Sequence, residues 1–477
     1  IMNSRTPTIF LLILTTCSIS AEYVDRGKIE DSKYWMKVGQ DNLKRVLGIK
    51  EASAPVAKNV VIMVGDGMGM TTITASRIYK GQRNKKTETG ESYSLTFDKF
   101  PHIGLAKTYS VDKQVPDSAC TATALFTGVK TRQAMLKLDA RAYTDKFDEA
   151  AKNAGLNSIM DWAQQAGKRT GFVTTTRLTH ATPAALYAKS VQRDWECDVS
   201  IPEESRKLDG LKDIARQLVQ EAPGNKLNVI LAGGGDMMGT GRNPDSTCQR
   251  SDGQDLVAEW LNSRLNLNAQ GVYVNTTGGL EKAKVHEIDY LMGIFSPDHM
   301  PYNVVRDKGP NGTPSLALMT KQALGILSRP NQGFVLMVEG GRIDHAHHKN
   351  YARLALDEAA EFDDAVKTVL DNTNPEETLI IVTADHSHSF TINGYPLRNN
   401  DILGFGNSEN ETIYETLSYA NGPGYTYHRV NDSGSNETWV SLENDPNRNL
   451  PYYPHLSPIY LEDETHGGED VPVYATG

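Results

Sequence analysis

Four short segments of this 477-residue chain concentrate side chains that can hold metal ions. They are Gly65-Asp66-Gly67-Met68-Gly69, the run from Glu339 to His348, Ala384-Asp385-His386-Ser387-His388, and Arg177-Leu178-Thr179-His180-Ala181-Thr182. A lone strand-end aspartate is usually a helix cap, and a lone histidine is usually a satisfied core or surface residue. The clustering argues against that reading here: six of the 12 histidines fall in these segments, at 180, at 345, 347 and 348, and at 386 and 388. Asp344 and His348 are four apart, so on a helical turn they face the same way. Asp–His sets favour zinc, whereas oxygen-only sets of Asp, Glu and Thr favour magnesium. Two kinds of metal site are therefore expected side by side.

A nucleophile is available in Val115-Pro116-Asp117-Ser118-Ala119-Cys120-Thr121. The plain reading of Ser118 is an N-cap before an Ala-rich helix. A nucleophile fits the same position, because a helix N-terminus favours anions and would meet a phosphate there. Gly-x-Ser-x-Gly is absent, so coordination to a metal is the expected means of activation.

Such groups need rigid elements behind them. Asn59–Val64, Thr170–Thr174, Val229–Ala232, Phe334–Val338 and Leu379–Thr383 read as continuous apolar strands. Between them lie helical patterns at Thr71–Lys80, Leu208–Glu221, Pro314–Leu327 and Ala352–Leu370. This alternation predicts an α/β fold with a mostly parallel central sheet and helices on both faces, a three-layer sandwich. In such sheets ligands bind at the carboxyl ends of strands, where the four segments fall. After Gly394 the chain turns rich in Asn, Tyr, Pro and Gly, so residues 394–464 are read as an inserted, crown-like subdomain. The core is then 21–393, rejoined at 465–477.

Lys and Arg total 49 against 59 Asp and Glu, a formal charge of −10, and 39% of residues are hydrophobic. With no basic block beyond short runs such as Arg83-Asn84-Lys85-Lys86, a nucleic-acid partner is excluded. Residues 1–20 read as a secretory signal: Arg5 precedes an apolar run, Ile9–Leu14, too short to span a bilayer, and small residues follow at Ser18 and Ser20. Secretion gives meaning to the sequons at Asn275, Asn311, Asn410, Asn431 and Asn436. Once Cys17 leaves with the signal, three cysteines remain. Cys197 and Cys248, both in polar loop-like sequence, are the favoured pair, and Cys120 is expected to be buried and reduced.

The motifs at Gly65–Gly69, Asp117–Ala119, Val338–His345, Thr383–His388 and Thr465-His466-Gly467-Gly468-Glu469-Asp470 resemble those of the animal secreted and membrane-attached alkaline phosphatases, in the same order from about Ala57 to Val473. The resemblance implies hydrolysis of small phosphate monoesters with two zinc ions and one magnesium ion per chain. It assigns Asp344, His348 and His466 to one zinc, and Asp66, Asp385, His386 and Ser118 to the other. Magnesium falls to Glu339 and Thr182, with Asp66 bridging; the family often has Ser where Thr182 stands. Arg193 matches the arginine that grips phosphate, and His180 and His345 lie just behind the ligands. Ser118 attacks as an alkoxide to give a phosphoserine, which a hydroxide then hydrolyses. A homodimer at the cell exterior, secreted or on the outer face of the plasma membrane, is implied too, with any lipid anchor not encoded in this chain end.

The match departs from the family at three places. Ser296 and Thr313 stand where vertebrate members carry calcium-binding carboxylates, so the resemblance does not extend to a fourth metal. Leu211 replaces a family cysteine, which makes Cys197–Cys248 a replacement bridge. The chain also stops soon after the last motif, which reads as a C-terminal truncation. Two rival functions compete with this one. A related metallohydrolase would cleave diesters or sulfate esters, but sulfatases need Cys/Ser-x-Pro-x-Arg, and Ala119-Cys120 follows Ser118. A non-catalytic surface-binding protein keeping the fold should have lost ligands, and every expected ligand is present.

Overall fold

The computed structural model describes residues 30–47, 56–84, 89–208, 210–240, 246, 248–329, 332–407, 413–431, 437–439, 442 and 445–477. The signal segment 1–20 and the sequons at Asn410 and Asn436 lie outside these residues, as does the side chain of Asn431.

Nine strands form the central sheet: β1 (Asn59–Gly65), β2 (His102–Ala106), β3 (Arg169–Arg177), β4 (Val229–Gly233), β5 (Gly271–Val274), β6 (Tyr290–Ile294), β7 (Phe334–Gly340), β8 (Thr378–Ala384) and β9 (Val471–Thr476). Their spatial order is β2-β9-β8-β1-β7-β3-β4-β6-β5. From β8 to β5 all pairs are parallel, while β9 runs antiparallel to both β8 and β2. Because side chains alternate along a strand, each strand feeds two cores. On one face Val61, Met63, Leu336, Val338, Ile380 and Val382 pack against helices Leu316–Leu327 and Ala352–Asp371. On the other, Ile62, Val64, Phe172, Ile230 and Met337 meet helices Ser118–Thr127, Ile214–Gln220 and Leu256–Asn266. This is the three-layer arrangement the alternating pattern predicts.

Two local expectations need correction. The cap of the Ser118 helix is Asp117, whose carboxylate accepts from Cys120 N at 3.2 Å. Ser118 is thus the first helical residue, and its hydroxyl is left for other work. The helix expected over Leu208–Glu221 starts only at Ile214, where Asp213 caps it by accepting from Arg216 N. A cap residue outcompeted the apolar period.

Among the described residues, the segment after Gly394 contributes short elements: antiparallel ladders of Phe405–Asn407 with Ile413–Glu415 and of Arg429–Asn431 with Glu437–Trp439, a strand Leu417–Tyr419 that pairs with Phe390–Ile392, and a helix Gly424–His428. No described helix is long and apolar enough to cross a membrane.

Cys197 and Cys248 are joined, 51 residues apart, and Cys120 is buried and free. Non-reducing peptide mapping is expected to recover the first two linked. Replacing both by serine should cost about 2–4 kcal/mol in denaturant unfolding, because the bridge restricts the unfolded chain. Two free thiols in the native protein would refute the pairing.

Candidate metal and phosphate site

The parallel register sets the site. Val64 of β1 lies level with Glu339 of β7 and Thr383 of β8, and Glu339 lies level with Thr174 of β3. Asp66, one residue past β1, and Asp385, one past β8, therefore emerge beside Glu339 at the same end of the sheet. Helix Arg342–His348 follows β7 and carries Asp344 and His348 one turn apart. A short antiparallel pair, His466–Gly467 with Ser387–His388, delivers His466. Gly67 permits the closeness: its φ is +70°, and a Cβ there would sit 2.4 Å from His388 Nε2.

Two groups of donors converge. In the first, His466 Nε2 lies 3.1 Å from His348 Nε2 and 3.3 Å from Asp344 Oδ1, with His348 Nε2 3.4 Å from the same oxygen. In the second, His386 Nε2 is 3.3 Å from both Asp66 Oδ1 and Asp385 Oδ2, and 3.1 Å from Ser118 Oγ. The ring nitrogen on the far side settles the tautomers. Nδ1 of His348, His466 and His386 faces the carbonyl oxygen of Glu464, Pro116 and Ser387 respectively, so each Nδ1 carries the proton. Each Nε2 is left as a lone pair aimed into the site, the arrangement metal-ligating histidines adopt.

A third group holds only oxygen. Asp66 Oδ2, Glu339 Oε1 and Thr182 Oγ1 are buried without a hydrogen-bond partner. Glu339 Oε2 already accepts from the hydroxyls of Thr174 and Thr176. Orphaned buried oxygens of this kind call for a cation or an unseen donor. The donor sets thus fit the implied metals: nitrogen and carboxylate for zinc, oxygen alone for magnesium.

The electrostatics agree. Burial, then the neighbouring Asp385, Asp344 and Glu339, push Asp66 well above the usual carboxylate range. Burial likewise raises Asp385, and raises Glu339 to about 7. These acids crowd one another and are costly as a set of bare anions. Asp344 instead is held well below its ordinary value, and His388 donates to its Oδ1.

The side chain of Arg193 is 21% exposed. It sits in a loop, with Nη1 donating to Asp117 Oδ2 at 3.2 Å and Nη2 to His180 Nε2 at 3.0 Å. Both contacts brace the guanidinium from one side. His345 Nδ1 accepts from Arg342 at 2.8 Å, and its ring lies 5.2 Å from that of His180.

Three residues in the site escaped the sequence reading. His388, quoted in a motif but given no role, donates to Asp344 Oδ1 at 2.8 Å and to Glu464. Burial opposes its charge, yet Glu464 and Asp344 prevail and raise it to about 10. Glu464 also accepts from Ser389 N and Oγ. His299 completes a trio of rings with His180 and His345, at centroid distances of 5.2 and 4.3 Å. Only the repeated Asp–His composition hinted at His388; nothing local marked the other two.

The chain is similar to known proteins along most of its length. Residues 57–477 match the family model described as alkaline phosphatase. Alkaline phosphatase 4 of Drosophila melanogaster is 48% identical over 474 residues, covering 94% of this chain and 78% of the relative. The membrane-bound alkaline phosphatase of Bombyx mori is 40% identical over 459 residues, covering 94% and 81%. Among solved structures, Thermus thermophilus alkaline phosphatase superposes with a TM-score of 0.60 at 23% identity, over 88% of this chain and 86% of that one.

Proposed function

The chain belongs to the alkaline phosphatase family and is a phosphoric monoester hydrolase, and from that premise we propose that it works through a phosphoserine on Ser118 with two zinc ions and one magnesium ion. The observation that carries this reading is the placement of Ser118 Oγ, within hydrogen-bonding distance of His386 Nε2 and 3.5 Å from Asp66 Oδ1, at the start of a helix. Asp344, His348 and His466 would hold one zinc; Asp66, Asp385, His386 and Ser118 the other; and Asp66, Glu339 and Thr182 the magnesium. When bound, the zinc ions supply Lewis acidity to the attacking and leaving oxygens.

The chain's own residues do the rest. Ser118 Oγ bonds to phosphorus as the phosphorus–oxygen bond to the alcohol breaks, and the proton that leaves Oγ is matched by one taken up by the departing alcohol oxygen. Water then attacks phosphorus, and the serine oxygen takes a proton back as phosphate departs. The first backbone N–H groups of the Ser118 helix face this anion with the positive end of the helix dipole. His388 keeps Asp344 oriented and charged. His180 and Asp117 brace Arg193.

Arg193 provides the test. A monoester dianion has three non-bridging oxygens, of which two can match a guanidinium fork. A diester has only two such oxygens and a single charge, and cannot satisfy both the fork and the metals. Arg193→Ala should therefore slow monoester hydrolysis by about 1.5–3 kcal/mol, the worth of hydrogen bonds to charged groups. That is roughly 10- to 150-fold in kcat/KM. Diester hydrolysis should fall much less, and Lys at this position should rescue in part only. An unchanged monoester-to-diester ratio would reject a phosphate-gripping Arg193.

The wider reading is of a glycoprotein secreted or held at the outer face of the plasma membrane, acting as a homodimer with 394–464 as its crown. Supporting it are the exposed sequon residues Asn275 and Asn311 and the name of the silkworm relative.

A further inference from the structure

Away from the metal and phosphate groups, helix Met70–Asn84, the start of helix Ala352–Asp371 and the loops around Asn399 and Asn449 enclose a cleft of about 730 Å³. It shares no lining residue with the catalytic groups. Its size falls in the range of small-molecule sites. Its charge is unusual for a chain of net charge −10. Three arginines line it, Arg83, Arg353 and Arg448, against one acid, Asp401.

The three arginines are not equally engaged. Arg83 pairs with Asp357 and bonds the Tyr79 hydroxyl. Arg353 and Arg448 instead donate to the neutral carbonyl oxygens of Asn449 and Leu403, and neither forms an ion pair among the described residues. The Arg448 guanidinium carbon lies 3.1 Å from the centroid of the Phe405 ring, and its Nη1 is buried without a hydrogen-bond partner among the described residues. Arg353 donates to a carbonyl and keeps its full charge, whereas Arg448 has the carboxylates of Glu415 and Asp401 near it and is partly dehydrated, so it has lost water that would screen it. Planar forks with spare donors are the usual means of holding phosphate or carboxylate groups.

We propose that this cleft is a second, non-catalytic binding site for a small polyanion, a ligand bearing two or more phosphate or carboxylate groups. Arg353 and Arg448 supply the charge, and Tyr79 and Leu403 offer apolar wall to the ligand's carbon skeleton. Binding would be independent of Ser118 and Arg193.

The test uses metal-loaded protein and a fluorescent pyrene trisulfonate, an anion that is neither hydrolysed nor a strong chelator. Fluorescence polarisation should show saturable, salt-sensitive binding. Arg353→Glu should weaken it at least tenfold, and so should Asn449→Asp, next to Arg448 and in contact with Arg353, while both variants keep wild-type monoester hydrolysis and thermal unfolding. Arg193→Ala should leave the probe's affinity unchanged. Displacement by citrate identifies a polycarboxylate ligand. Displacement by fructose 1,6-bisphosphate, in the Ser118→Ala background, identifies a phosphorylated one. Binding that survives both added negative charges, that is lost with Arg193, or that neither competitor displaces would overturn the site.

Discussion

Replacement of Ser118 by alanine is expected to abolish phosphoenzyme formation and to lower monoester hydrolysis by at least about 10³-fold. Loss of a serine nucleophile in a protease costs roughly 10⁶-fold in kcat. The loss here should be smaller, because the groups that position and neutralise phosphate stay in place without the hydroxyl. Asp66, Asp385 and His386 converge independently of it, through His386 Nε2. Asp385 is fixed by Gly67 N, its neighbour His386 N and the Thr121 hydroxyl. The alanine variant should therefore bind zinc with the wild-type stoichiometry and unfold at a similar temperature. A structural serine would behave in the opposite way, with stability falling and residual turnover tracking the folded fraction. Acid quenching of wild-type protein with labelled phosphate should trap the label on Ser118 and leave none on the variant. Label on any other residue, or none on the wild type, would remove Ser118 from the mechanism.

The parts of this site that could be read from the sequence were those set by local pattern. A continuous apolar run followed by Asp66, Glu339 or Asp385 is a strand ending in a candidate ligand. The parallel sheet then brings such ends together whatever the strand order. The Asp344–His348 spacing is a helical turn, so it too is local. Contacts joining distant segments were not readable. His388 meets Glu464 across 76 residues, and only through the ladder that pairs His466 with His388. The braces on Arg193 come from Asp117, 76 residues earlier, and from His180. His299 reaches its ring trio because Met300 N bonds Thr175 O beyond the end of β6, and no periodicity announces that. The two helical errors have a related cause: a single Asp side chain decides where a helix starts, and apolar spacing does not contain that choice.

Exhaustive chelation is expected to reduce hydrolysis of p-nitrophenyl phosphate to background, with zinc restoring most of it and magnesium adding to zinc without replacing it. The fixed tautomers are the first reason. Three Nε2 lone pairs converge with Asp344, Asp66 and Asp385, and lone pairs facing one another at 3.1 Å repel unless a cation or proton lies between them. Protons are a poor substitute, because burial holds His386 well below its usual value and lowers His348 as well. The acids are the second reason. Removing one partner from a buried charged set costs about 3–5 kcal/mol, so the metal-free protein should also unfold at a lower temperature. The different donor types predict different selectivity for the two kinds of ion. Glu339→Gln should remove the additional gain from magnesium, since it alters only the oxygen set, and should leave activation by zinc largely intact. His466→Ala should instead remove most of the activation by zinc while magnesium still binds, because it takes nitrogen from the zinc set and none from the oxygens around Glu339. Metal analysis alongside the rate should find two zinc ions and one magnesium ion per chain in wild type, with each variant losing the ion its donors serve. Full activity after exhaustive chelation, or recovery with magnesium alone, would show that the converging histidines hold the fold together and take no part in the chemistry.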